Sequence, residues 1–323
     1  MFLEVKEIRK SFQGRVVLDK IDFQVEAGEI DSIIGPSGVG KTTLLAIIAG
    51  LEKADSGRVV FAKPPSKNNP VILVFQDYTL FPNMTVWDNV SFGLTVRRRP
   101  RREIREKTER LLDFFQLGPQ AGQYPAELSA GQKQRTALAR AMIVEPSLLL
   151  LDEPFANLDR NLKMETARYI RETQKKFGVT TISVTHDLEE AFAMSDKIGL
   201  LLHGRLEQFD SAAEVYHHPQ TIEAARFLGP VNVIPLELRS FFGLGPNAAS
   251  PGELVFARPE NLRLSLDPQG PAWVSEVVFA GHYIVYRVRL GEAEFTVYGL
   301  SDGVRPGDRV ALELHGFLKS RTP

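Results

Sequence analysis

Two short stretches carry residues able to do chemistry. Gly35-Pro36-Ser37-Gly38-Val39-Gly40-Lys41-Thr42-Thr43 fits the spacing G-x-x-x-x-G-K-[ST]. Its glycines let successive backbone N–H groups converge on a phosphate chain where side chains would clash. A helix starting at the end of the loop aims its positive end at the same anion. Lys41 is expected to reach the β- and γ-phosphates, the Thr42 hydroxyl to ligate Mg²⁺, and Thr43 to bond an α-phosphate oxygen. The second stretch, Leu148-Leu149-Leu150-Leu151-Asp152-Glu153, is an apolar run ending in two carboxylates. Unpaired buried charge is costly, so a buried strand ending this way needs a use for its acids. Asp152 is expected to hold the Mg²⁺ through its water shell. Glu153, one residue on and facing elsewhere, is expected to polarise an attacking water.

These groups need elements to position them. Glu29–Gly35 reads as a short apolar strand running into the glycine loop, and Lys41–Leu51 as the helix that follows. Val71–Phe75 and Leu148–Leu151 are almost wholly apolar, as strands covered on both faces are. Thr180–Thr185 is a β-branched strand, and helical patterns fill Glu103–Phe115, Gly131–Val144 and Leu162–Lys176. Such alternation predicts a mainly parallel α/β sheet. After Pro230 the texture becomes short alternating strands: Leu254–Ala257, Trp273–Phe279, Ile284–Leu290, Ala293–Tyr298 and Arg309–Leu314. Glycine and proline punctuate them, which suits a small barrel or sandwich. The expected division is an α/β nucleotide-binding domain over 1–230 and a small all-β domain over 231–323.

Composition narrows the partners. The 323 residues favour two domains, and 43% hydrophobic with 24% charged residues excludes wholesale disorder. Lys+Arg is 39 and Asp+Glu is 40, so nothing marks a nucleic-acid binder. With no cysteine, a disulfide scaffold, a Cys-ligated zinc, an iron–sulfur cluster and a thiol nucleophile are excluded. No apolar stretch is long enough to span a membrane, and charges occupy the first residues where a signal peptide needs an apolar block. A soluble intracellular chain is expected. The basic run Arg97–Arg102 reads as a solvated loop and helix start, with anionic headgroups or an acidic partner as the alternative. Asp31 departs from its strand's apolar pattern; near the strand's start, solvent or a neighbouring base offers it a partner.

The order of motifs resembles the nucleotide-binding subunits of ABC transporters, with an α/β P-loop NTPase domain bearing a helical subdomain. Leu128-Ser129-Ala130-Gly131-Gln132 is similar to that family's LSGGQ signature, with Ala130 in place of the first glycine. The resemblance implies that Ser129, Ala130, Gly131 and Gln132 of one copy cap the γ-phosphate held by another, in a head-to-tail dimer. An ordinary serine helix cap is the plainer reading, and the Ala130 methyl could crowd a phosphate. Gln76 resembles the Q-loop glutamine, implying a Mg²⁺ ligand that senses a membrane partner. His186 resembles the switch histidine at the γ-phosphate, and Asn157-Leu158-Asp159 the D-loop that crosses the dimer. Phe12 lies where the family stacks an aromatic on adenine; a core phenylalanine is the alternative.

Phe75–Gly93 resembles the importer branch, with Tyr78, Leu80, Phe81 and Met84 as candidates to line the groove for a membrane subunit, or to fill core. Phe256–Arg263 resembles the RPE-x-L segment of the OB-like domain called TOBE, which in relatives mainly pads the dimer. The resemblance thus implies a peripheral ATPase on the cytoplasmic face of the membrane, using ATP and Mg²⁺. Its partners are a second copy, two integral membrane permease subunits and, indirectly, a solute-binding protein, with no nucleic acid. An oxyanion such as sulfate or molybdate is slightly favoured as cargo over ferric iron, polyamine or sugar. A non-transport ABC ATPase of translation or DNA repair is the alternative.

Overall fold

The structure, a computed structural model, describes residues 1–155, 160–245, 248–250, 253–300 and 303–321. The chain forms two compact units, Met1–Ala212 and Ala213–Pro323, so the division expected at residue 230 falls inside the second.

The first unit holds β1 (Leu3–Phe12), β2 (Arg15–Val25), β3 (Ile30–Ile34), α1 (Lys41–Ile48), β4 (Ser56–Phe61), β5 (Val71–Val74), α2 (Val86–Val96), α3 (Arg101–Phe114) and α4 (Ala130–Met142). It continues with β6 (Leu148–Asp152), α5 (Arg160–Phe177), β7 (Thr180–Thr185), α6 (Leu188–Met194), β8 (Lys197–Leu202) and β9 (Arg205–Ser211). Six strands form one sheet in the order β5-β6-β7-β3-β8-β9, parallel except at its β9 edge. The strand expected at Val71–Phe75 stops at Val74, and Phe75 turns outward.

The period-2 alternation of β6 explains why four leucines run together. Leu148 and Leu150 face an apolar cluster with Leu44, Leu45 and the β1–β2 sheet, while Leu149 and Leu151 face a second cluster built from α2, α3 and α4. Each buried leucine contributes roughly 2 kcal/mol, enough to fix the strand and the carboxylates at its tip. A separate antiparallel sheet, β2-β1-β4, adds to the expected architecture. Its hairpin turns through Gln13 (φ 50°) and Gly14 (φ 81°), both left-handed, as a two-residue connection with the twist of its strands requires. The basic run ends as a solvated helix start: Arg99, Arg102 and Arg105 pair with Glu103, Glu106 and Glu109 four residues on.

The boundary falls at the first residue of α7 (Ala212–His217), and the second unit holds the rest of it, then α8 (Ile222–Phe227), β10 (Asn232–Val233), β11 (Glu253–Ala257), β12 (Leu262–Leu266) and β13 (Ala272–Phe279). It ends with β14 (Ile284–Leu290), β15 (Ala293–Gly299), β16 (Arg309–Leu314) and β17 (Leu318–Arg321). A five-stranded antiparallel sheet β12-β16-β13-β14-β15 and a three-stranded sheet β10-β11-β17 enclose a core around Tyr286, Phe295 and Val310. The strands β10, β12 and β17 add to the five expected ones. Arg258 is 1% exposed and ties the preceding segment to this core. Its guanidinium donates to the carbonyls of Ala225 (2.7 Å) and Gly229 (3.1 Å) and lies 4.4 Å from the Tyr216 ring centroid, while the Tyr216 hydroxyl donates to Glu260 at 2.7 Å.

Candidate functional site

The glycine loop leaves β3, the strand between β7 and β8, and feeds α1 at the carboxyl edge of the sheet, where α/β folds place their ligands. A Cβ on Gly35 would lie 2.2 Å from the Leu201 carbonyl oxygen, so only glycine fits there. Gly40 caps α1 at φ 111°, and a Cβ on it would meet Val17 and Leu18 side-chain atoms at 2.9 Å. Gly204 approaches the same stretch: its carbonyl accepts the Asp19 N–H at 2.8 Å, and a Cβ on it would lie 2.6 Å from the Val17 oxygen. The start of β2 is therefore packed directly against the loop. Pro36, Ser37 and Gly38 stand exposed at its rim, with Val39 half-buried behind them.

Lys41 is buried, and its Nζ donates to the carbonyls of Gly35 (2.8 Å) and Pro36 (3.0 Å). Burial holds its pKa below the ordinary lysine value, opposed by the charges of Glu153 and Asp152. The Thr42 hydroxyl donates to Asp152 Oδ1 at 3.0 Å. Burial pushes the Asp152 carboxyl up from its ordinary range, against the Thr42 hydrogen bond. An exposed hydroxyl bonded to a buried carboxylate supplies hard oxygens beside the glycine loop, a pairing that fits Mg²⁺, which keeps much of its water and phosphate coordination. Thr43 follows on the first turn of α1.

Strand register brings the second acid to the histidine. Asp152 pairs with Val184 across β6 and β7, so Glu153 and His186 emerge side by side at the sheet edge. Glu153 turns left-handed (φ 45°) as its N–H donates to the Val184 carbonyl at 2.9 Å. Its Oε2 lies 3.1 Å from His186 Nδ1, and its Oε1 lies 4.0 Å from Lys41 Nζ. His186 itself is exposed, but its neighbours are locked: Thr185 Oγ1 donates to the buried Glu190 at 2.7 Å, and Lys163 pairs with both Asp187 and Glu190. Nothing in the periodicity of the chain marks Lys163 or Glu190 for this task.

The remaining expected residues divide. Gln76 lies exposed just past β5, level with Glu153 because Val74 pairs with Leu151. Phe12 is 44% exposed at the tip of the β1–β2 hairpin, with Lys10 Nζ 4.8 Å from its ring centroid, so it is not a core residue. Ser129 caps α4, in line with the plainer reading: its hydroxyl accepts the Gln132 N–H at 3.3 Å and its N–H donates to Gln132 Oε1 at 2.9 Å. The Ala130 methyl packs against the helical core, and Gly131 is buried. Tyr78 is 5% exposed and belongs to the core, while Leu80, Phe81 and Met84 are partly open. Asn157, Leu158 and Asp159 lie outside the described residues.

The comparisons with known proteins agree with this geometry. Residues 18–156 match the family described as ABC transporter, and residues 255–316 match the TOBE domain. The sulfate/thiosulfate import ATP-binding protein CysA of Synechococcus elongatus is 39% identical over 303 residues, covering 91% of this chain and 88% of that one. Its counterpart in Escherichia coli is 41% identical over 307 residues, covering 88% and 84%. Among solved structures, cbiO1 of Clostridium perfringens, part of an ABC transporter complex, has a TM-score of 0.61 at 31% identity, covering 66% of this chain and 90% of that one. An ATP-binding cassette solved as a dimer in a post-hydrolysis state with ADP and Pi has a TM-score of 0.57 at 28% identity, covering 65% and 98%. With a phosphate loop beside two acids and a histidine, the chain belongs to the ATP-binding proteins of the ABC transporter family, ATPases that work with ATP and Mg²⁺, and carries a TOBE domain.

Proposed function

We propose that this chain is the ATP-hydrolysing subunit of an importer for sulfate or a related oxyanion. The sulfate/thiosulfate import for which its CysA relatives are named supports the cargo. The observation that carries the hydrolytic reading is the convergence of Lys41, Asp152, Glu153 and His186 at one sheet edge. The main-chain N–H groups of residues 35–43 and Lys41 bind the triphosphate. Thr42, Asp152 and Gln76 hold Mg²⁺, which when bound neutralises charge on the phosphate oxygens. Glu153 takes the proton of a water whose oxygen bonds to the γ-phosphorus, as the bridging P–O bond breaks and its electron pair leaves on ADP. His186, hydrogen-bonded to Glu153, orients that carboxylate and the γ-phosphate. Phe12 stacks on the base.

Two copies act head to tail, with Ser129, Ala130, Gly131 and Gln132 of one completing the site of the other and Asp159 at the crossing. The dimeric cassette among the solved relatives supports this arrangement. Phe75–Gly93 receives an integral membrane permease subunit, two of which pair with the dimer, and a solute-binding protein delivers the cargo. The chain then sits peripherally on the cytoplasmic face of the membrane; among the described residues no helix is long and apolar enough to cross one. Glu153→Gln tests the reading: nucleotide affinity by calorimetry stays within twofold, while turnover falls about a thousandfold. Near-normal hydrolysis by this variant removes Glu153 from the role of base.

A further inference from the structure

The carbonyl of Pro154, one residue past Glu153, accepts two side-chain hydrogen bonds. The Tyr78 hydroxyl donates to it at 3.0 Å and Gln134 Nε2 at 2.9 Å. Both donors are buried, Tyr78 to 5% and Gln134 to 2% exposure. They come from different elements. Tyr78 lies two residues past Gln76, and Gln134 lies on α4, the helix that Ser129 caps. The third element is the tip of β6.

The backbone on both sides of this joint is held in conformations that non-glycine residues seldom adopt. Tyr78 (φ 57°), Thr79 (φ 37°) and Glu153 (φ 45°) are all left-handed. Arg140, again on α4, secures the first pair by donating to the carbonyls of Tyr78 and Thr79, each at 3.0 Å, with its guanidinium 5.1 Å from the Phe81 ring centroid. Such conformations persist only where the surroundings over-determine them. At Glu153 the surroundings consist of the Val184 carbonyl on one side and the Pro154 joint on the other. Burial pushes the Tyr78 phenol up to about 12, so it stays a donor across the working pH range.

We propose that Tyr78 and Gln134 are positioning residues for hydrolysis: by holding the Pro154 carbonyl they aim the Glu153 carboxylate and tie its aim to the segment after Gln76 and to α4. A shift of that segment would turn the Pro154 peptide through the Tyr78 hydroxyl and move Glu153 without touching the phosphate loop. The proposal rests on the reading of Glu153 as the base.

The test uses the full chain and ATP turnover. Tyr78→Phe removes one hydroxyl from a site that otherwise keeps its shape. Its kcat falls about tenfold, the scale of a small misplacement of a catalytic group, while KM for ATP stays within twofold. Combined with Glu153→Gln, it causes no further loss of the residual single-turnover rate. Gln134→Leu is the second variant. Gln134 Oε1 has no hydrogen-bond partner among the described residues, so leucine removes only the donor, and the same kcat-selective loss is expected. An unchanged kcat in both variants overturns the proposal. So does an equal fold-loss in the wild-type and Glu153→Gln backgrounds, or a rise in KM at constant kcat. Full activity of Glu153→Gln alone overturns the base assignment instead, whatever Tyr78→Phe does.

Discussion

Asp31 is the residue at which chain and fold disagree. It is fully buried in β3, and neither side-chain oxygen has a hydrogen-bond partner among the described residues, so the solvent or base that its sequence position offered is not reached. Burial raises its pKa from 3.8 to about 7, with Glu29 and Asp196 adding to the rise and Lys197 opposing it. Glu29 and Asp196 are themselves taken, by Lys197 and Arg171. Unfolded, the group ionises near pH 4; folded, it ionises near pH 7. The folded state therefore loses stability progressively as pH rises between these values, up to about 4 kcal/mol. Asp31→Val should raise the thermal midpoint of the first unit strongly at pH 8 and much less at pH 4.5, followed by circular dichroism. An equal gain at both pH values would mean that the carboxyl is not ionising in place. At this scale the sequence marks residues by type and spacing, as at Lys41, Thr42, Asp152 and Glu153, and the fold brings these four together. The sequence hides roles set by a neighbour's main chain. The Gly35 carbonyl that holds Lys41 and the Leu201 oxygen that enforces Gly35 have no residue type to betray them.

Among elements, β6 is legible because burial on both faces leaves a continuous run of leucines, and β3 and β7 because β-branched residues dominate them even where Asp31, Ser32 and Ser183 interrupt. The antiparallel β1, β2 and β4 are not, because charged and apolar residues mix along strands with one open face, and bulges break the alternation of β1. The pairing of Glu153 with His186 is a fact of register, which no single strand carries. Arg258 shows the same limit in the second unit. Its motif can be recognised, yet its work is done on the carbonyls of Ala225 and Gly229, remote in sequence. It satisfies the end of α8 with a buried guanidinium. Arg258→Met should destabilise the second unit by about 3 kcal/mol, as charged hydrogen bonds to buried carbonyls are lost. Calorimetry would register this as an earlier transition for that unit with the other unmoved. Arg258→Lys should recover only part of this loss, because an ammonium can donate to the carbonyls but has no planar guanidinium to lay on the Tyr216 ring.

For the molecule as a whole, the proposed head-to-tail dimer makes a prediction that a self-sufficient protomer does not. Lys41→Ala disables one half of each composite site, and Ser129→Arg disables the other. Each variant alone should be nearly inactive. Mixed and allowed to exchange, half the dimers carry one intact site, so activity should return to about a quarter of wild type on two-fold geometry. No recovery after verified exchange would refute the shared site. The close packing of Val17 and Leu18 on Gly40 has a consequence at this scale too. Phe12 stands at the far tip of the hairpin to which Val17 and Leu18 belong. With Phe12 as the base platform proposed above, ring and lysine ride on one stiff frame. The cassette then works as a calliper: it gauges the span from nucleobase to terminal phosphate, and has far less grip on which purine sits at the end.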